Sequence, residues 1–310
     1  MNRCLSNGEI VSEPKMNRLS RRAMLRYTAT GAAAVGGGLL LGACQTTNPE
    51  TGQSEDGQSL QQRVDAGQAL RLAVANEPPY TVLEKNGELT GAEPDVAKAV
   101  LKRMGIENIK GVQADYDSMI PGLNANRWDM VTAGLFMNKT RCAKVQYSAP
   151  VLVSTESFAV LNGNPKGLNT LDDLKNKDAT VAVLEGSFEL KTAKSLGVDE
   201  AKLQTYPLAP DALQGMRDGR VDGILLPTLT LEKLKNQKGN FEITEPLDSF
   251  PTTGSGAAFR PGDKEFFGKY NQELEKFKES AEFEKLMDKW GFPAEEARKA
   301  TTEELCATEG

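Results

Sequence analysis

The chain contains no histidine. That removes the commonest general base and the commonest nitrogen ligand of zinc, so a Ser-His-Asp triad and a His-based metal centre are excluded. Chemistry run by carboxylates alone is not. Cysteine is scarce: Cys4, Cys44, Cys142 and Cys306 stand too far apart to suggest a metal cluster. Neither a metal nor a cofactor is expected. A basic surplus is missing too, with 37 Lys and Arg against 43 Asp and Glu. Setting aside the six bases and two acids of residues 1–43 leaves 31 bases against 41 acids. Such an acidic body argues against nucleic acid or an anionic membrane surface as the main partner. A long apolar run is also lacking. The stretch from Gly31 to Leu41 falls short of the roughly 20 residues a membrane span needs.

What that stretch does have is an ordered set of flanking signals. Ser20-Arg21-Arg22-Ala23-Met24-Leu25 reads as a twin-arginine export motif, and Leu41-Gly42-Ala43-Cys44 reads as a lipobox. Residues 1–43 are thus expected to be a lipoprotein signal, with a conventional start at Met16, and Cys44 the lipidated residue. The bland alternative is a buried Gly/Ala helix that follows two arginines by chance. Residues 44–68 then form a polar tether, too poor in large apolar groups to offset the entropy of ordering. The product is expected outside the cell interior, held by lipid on the outer face of the cytoplasmic membrane.

From Ala69 onward the pattern becomes that of a packed α/β protein. Leu70–Ala75 reads as a buried strand. Pro94 opens a helix with Val96, Ala97, Val100, Leu101 and Met104 on one face, and Gly105 closes it. Strands at Asn108–Gln113 and Asp129–Ala133 flank a helix over Ser118–Asn126. A similar run follows: strand Glu156–Leu161, helix Leu171–Asn176, strand Thr180–Leu184, a helix from Gly186-Ser187 to about Leu196, strand Leu203–Tyr206, helix Pro210–Arg217 and strand Val221–Leu226. The chain returns through Gly256–Phe259 and ends in two amphipathic helices, about Lys264–Ser280 and Glu282–Trp290. This rhythm implies mostly parallel sheets in two lobes, with a cleft at the carboxyl ends of their strands. Lobe 1 is expected over 69–156 and 256–310, lobe 2 over 157–255, with hinge strands near 155–158 and 253–257.

Several segments taken together resemble a known family. They are Asn76-Glu77-Pro78-Pro79-Tyr80-Thr81, Gly91-Ala92-Glu93-Pro94-Asp95-Val96, Tyr116 to Leu123, Asp129-Met130, and Asp218-Gly219-Arg220-Val221-Asp222. In order and spacing they are similar to the amino-acid-type (family 3) solute-binding proteins of ABC importers, over roughly Leu70 to Phe292. Within that family, Gly134 to Cys142, Tyr147-Ser148-Ala149-Pro150, Asn162-Gly163-Asn164-Pro165 and Leu305-Cys306-Ala307 most resemble the ectoine and hydroxyectoine binders. The resemblance implies the type II periplasmic binding fold. It also implies a small zwitterionic solute, importer membrane subunits as partners, and a monomer.

The same resemblance places the ligand among Glu77, Tyr80, Tyr116, Phe136 and Arg141. The second lobe adds Ser187 and Glu189, with Phe188 as an alternative to either. The chemistry is coherent: Arg141 offers a planar fork to a carboxylate, aromatic faces suit a diffuse cation, and acids accept from ring N–H groups. Amino-acid binders of the family usually carry an ammonium-binding Asp where this chain has Pro227. Each side chain alone also has a bland reading: the aromatics as core, Arg141 as a surface cation, Glu77 as a turn residue. Asp129, Asp222, Trp128 and Trp290 are expected to be structural. A binding protein for a polar amino acid is the nearest alternative function, and a dehydratase-type enzyme using Glu77 with Glu189 is the rival from another class. A sensor ectodomain would need a span and a signalling module after the second lobe, which the sequence does not display. Export puts Cys142 and Cys306 in an oxidising space, so they are expected to pair.

Overall fold

The structure, a computed structural model, describes residues 57–309. The twin-arginine motif, the lipobox with Cys44, Cys4 and the tether up to residue 56 lie outside the described residues.

The expected tether is not featureless to its end. Ser59 caps helix α1 (Leu60–Asp65) through a capping box with Gln62, and Leu60 is buried. Arg63 of this helix reaches the buried Asp129 at 2.7 Å, where Arg71 also bonds. Burial alone pushes the Asp129 carboxyl up, but the two guanidiniums overcome it and hold it at about 2. One apolar residue and one arginine with a buried partner are enough to dock a helix that composition alone reads as linker.

The chain then runs through β1 (Leu70–Val74), a small hairpin of β2 (Val82–Leu83) and β3 (Leu89–Thr90), α2 (Ala92–Arg103), β4 (Ile109–Gln113), α3 (Tyr116–Asn124), β5 (Met130–Val131), α4 (Lys139–Cys142) and β6 (Gln146–Tyr147). It crosses on β7 (Leu152–Ser154) into β8 (Glu156–Val160). There follow α5 (Leu171–Asn176), β9 (Val181–Leu184), α6 (Phe188–Ser195), β10 (Leu203–Tyr206), α7 (Ala209–Arg217), β11 (Gly223–Pro227), α8 (Thr228–Lys238) and β12 (Glu242–Ile243). It returns on β13 (Thr253–Ser255) into β14 (Ala258–Phe259). Helices α9 (Lys264–Lys278), α10 (Ala281–Trp290), α11 (Ala294–Lys299) and α12 (Thr302–Cys306) follow. A capping Ser280 and the left-handed Gly291 bound α10.

Two five-stranded sheets result, ordered β4-β1-β5-β14-β6 and β10-β9-β11-β8-β12. The two orders are the same pattern used twice. In each, one strand runs against the other four, β14 in the first and β8 in the second. Each reversed strand is the one that has just crossed from the other lobe. It enters at the cleft, where its neighbours end, so it must run the opposite way. The two crossings pair antiparallel, Ser154 opposite Thr253 and Leu152 opposite Ser255. Strands β8, β9 and β11 are buried throughout, as strands covered on both faces are.

Candidate ligand site between the lobes

The site is assembled from strand ends. β1 runs into the loop of Glu77 and Tyr80, β4 leads to Tyr116, and β5 leads to Gly134, Phe136 and Arg141. From the second lobe, β9 delivers Ser187, Phe188 and Glu189, and β11 ends on Pro227. These ten residues line one small pocket at the closed cleft. All eight side chains expected at the site are brought together. Ser187, Phe188 and Glu189 all reach it, so Phe188 displaces neither neighbour.

Backbone geometry opens the floor. Gly134 has φ +66°, and a Cβ there would lie 2.9 Å from the Tyr80 ring, so only glycine fits. Glu93 at the start of α2 accepts from the Gly134 N–H at 2.9 Å and from the Ser255 hydroxyl, tying this loop to the crossing strand β13. Burial raises its carboxyl to about 7 against those hydrogen bonds.

Glu77 is 5% exposed and accepts two hydroxyls, Tyr116 at 2.7 Å and Thr230 at 2.8 Å. Burial lifts its carboxyl to about 7 and the charge of Glu189 adds to that, while the two hydroxyls pull it down. The Tyr80 hydroxyl donates to Ser154 at 2.5 Å, and its ring meets Phe136 edge-on at 5.6 Å. Phe136 meets Phe188 edge-on at 5.9 Å. Ser187 caps α6 and accepts from the Leu190 N–H at 3.2 Å.

Arg141 differs from the free fork expected of it. Its Nη1 donates to the Phe136 carbonyl at 2.7 Å and its Nη2 to the Gly186 carbonyl at 3.1 Å. Two of its five donors therefore fix the guanidinium plane, leaving the others for a ligand. The Gly186 contact crosses between the lobes. So do Glu77 with Thr230, and the exposed pair Asp117–Lys191 at 3.3 Å. The lobes stand closed. Beside Arg141, Cys142 of α4 is disulfide-bonded to Cys306 of α12.

Sequence reasoning missed three residues around this pocket. Thr230 belongs to α8, a helix not foreseen. Pro227 was noted only for the Asp it replaces, yet it lines the pocket. Glu156, at the cleft end of β8, is 1% exposed and adjoins Glu189. Its signal was one acid opening a strand that is buried throughout.

Two α/β lobes joined by paired crossings and closed over a small polar–aromatic pocket define a solute-binding protein. The family model of the bacterial extracellular solute-binding proteins, family 3, matches residues 70–293, and the chain belongs to that family. A probable amino-acid ABC transporter periplasmic-binding protein of Sinorhizobium fredii is 32% identical over 257 residues, covering 79% of this chain and 85% of that protein. The L-cystine-binding protein of Escherichia coli K12 is 28% identical, covering 69% and 78%. Among solved structures, EhuB in complex with hydroxyectoine matches with TM-score 0.76 and 39% identity, covering 81% of this chain and 98% of that one. The ancestral amino acid-binding protein AncCDT-1, a precursor of cyclohexadienyl dehydratase, matches with TM-score 0.67 and 27% identity, covering 74% and 98%. The chain is thus the solute-binding protein of an amino-acid-type ABC transporter, with a small-solute ligand and permease partners, and its relatives are periplasmic.

Proposed function

We propose that the protein captures ectoine or hydroxyectoine outside the cytoplasm and delivers it to its permease in the closed form. The observation that carries this is the composition of one pocket: a fixed guanidinium, four aromatic rings, two acids, and Pro227 where an ammonium-binding Asp stands in amino-acid binders. Ectoine is a carboxylate on a ring whose cation is a delocalised amidinium bearing N–H groups. Arg141 takes the carboxylate, the rings face the cation, and Glu77 and Glu189 accept the N–H groups. The similarity to EhuB supports the same reading. A primary ammonium would lack the Asp at position 227. Betaine fits the rings, but offers no N–H to the buried acids, at a cost of about 1 to 3 kcal/mol. The site holds its solute and turns nothing over.

Calorimetry with ectoine, hydroxyectoine, arginine, glutamine and glycine betaine tests the reading. The ectoines should bind tightest. Arg141→Ala should cost about 2 to 3 kcal/mol by stranding the carboxylate, and Phe136→Ala about 1 kcal/mol. No heat with either ectoine beside clear binding of an α-amino acid would establish the polar-amino-acid alternative. Anchoring through Cys44 is part of the same proposal. Cys44→Ala should shed the protein from the membrane fraction, and unchanged detergent-dependent fractionation would refute it.

A further inference from the structure

Glu156 does not line the pocket, yet it is built into its acidic end. Its carboxyl is 1% exposed and that of Glu189 is 3% exposed. Their carboxyls lie within hydrogen-bonding reach of each other. One Glu156 oxygen accepts from the Thr253 hydroxyl on β13 at 3.1 Å, while its Oε2 meets no donor from the protein. A buried carboxylate oxygen without a donor is destabilising, and two carboxylates cannot bond without a proton between them.

We propose that Glu156 and Glu189 share one proton, carried by Glu156 and donated to Glu189, and that Glu156 thereby positions Glu189 as an ionised acceptor that selects solutes with N–H groups on their cation. The pair rests on the pocket reading above and extends it to a residue one layer behind. No bond is made or broken; the proton stays between the two carboxyls. The neighbourhood assigns which partner keeps it. Glu156 faces Glu189 on α6, Glu77 on the loop after β1, Thr253 on β13 and the Tyr80 ring, with no cation among them. Glu189 faces Arg141 on α4 and the Ser187 hydroxyl as well. Burial first, then the charge and hydrogen bond of Glu189, raise the Glu156 carboxyl well above its ordinary value; burial raises that of Glu189 too, but there Glu156, its own backbone, Ser187 and the Arg141 charge all pull it back down. Thr253 in turn links the pair to the crossing strand, so the acceptor is aligned from the hinge.

The test uses Glu156→Gln, which keeps a donor but cannot ionise, and Glu156→Met, which keeps volume but donates nothing. In ligand-free protein, a carboxyl raised on folding contributes its full stability below its unfolded value and loses it as pH rises through the folded value. The wild-type melting temperature should therefore fall further than that of Glu156→Gln as pH rises above about 5, against a background of Glu77 and Glu93 common to both. Superimposable profiles would overturn the shared proton whatever the solute is. With hydroxyectoine as probe, Glu156→Met should lose affinity by about tenfold and Glu156→Gln should recover most of it. Equal affinities of the two variants would overturn the positioning role. Should wild-type protein bind a different zwitterion in the calorimetric screen, the ligand reading fails separately and the same two variants are compared on that solute.

Discussion

At the residue scale the pocket is short of cations. Among the described residues Arg141 is the one arginine or lysine lining it, against Glu77 and Glu189. The consequence is a pH dependence with a definite sign. Folding raises the Glu77 carboxyl to about 7, through burial first and the charge of Glu189 second. Its contribution to stability is complete below the unfolded value of about 4.3 and is lost as pH rises through about 7. Ligand-free protein should therefore become less stable between about pH 5 and about pH 8, and Glu77→Gln should flatten that fall by on the order of 3 kcal/mol. Parallel unfolding curves of the two proteins across that range would contradict it. A bound cation reverses the sense, because it favours the ionised form, so the loss should shrink when solute is present. Glu77, Tyr80, Tyr116, Phe136 and Arg141 were legible in the sequence because each follows a strand within a short segment of family character. Glu156 was not. Its partners Glu189 and Thr253 lie far along the chain, and only tertiary structure makes one acid at a strand start into a neighbour of the site.

At the scale of elements, the helices and strands with clear periodicity were readable, and the misses share a physical cause. Helix α8 begins Thr228-Leu229-Thr230-Leu231, an alternation with β-branched residues that reads as strand, and its N-cap is Pro227 with no capping side chain. What makes it helical is tertiary: Leu231 and Leu234 pack into the second-lobe core, and Thr230 bonds to Glu77. Helices α11 and α12 are short, and α12 is held by its Thr301 cap, buried Leu305 and the bond to Cys142. That disulfide closes a loop with a sequence separation of 164 residues, for which the chain-entropy account allows at most about 5 kcal/mol. It also fastens α4, one residue from Arg141. Cys306→Ser should lower the melting temperature and weaken solute binding as well, since the guanidinium loses a fixed support. Non-reducing mass spectrometry of the wild type should find neither thiol alkylated before reduction; alkylation of both would refute the pairing in the native protein.

At the scale of the molecule, what matters is how little holds the lobes shut. Among the described residues three polar contacts cross the cleft, and they are unequal. Asp117–Lys191 is solvent-exposed on both sides and contributes little, about 0 to 1 kcal/mol. The Arg141 bond to the Gly186 carbonyl cannot be removed without changing a residue that lines the pocket. The Thr230 hydroxyl on Glu77 is the separable one: buried, charge-assisted, and made by a residue outside the pocket lining. A bond of that kind contributes about 1.5 to 3 kcal/mol. It exists only when α8 meets the loop after β1, so it biases the closed state without touching the solute. Thr230→Val should therefore shift ligand-free protein toward the open form and raise its radius of gyration in solution scattering. Affinity falls in proportion to the closed population, so solute binding should weaken by about three- to tenfold, while Lys191→Ala changes it little. Saturating solute should restore the compact radius in Thr230→Val, because ligand contacts from both lobes supply the bias the hydroxyl gave. If Thr230→Val keeps wild-type radius and affinity, the lobes are not balanced by this bond, and closure must be driven by the solute alone.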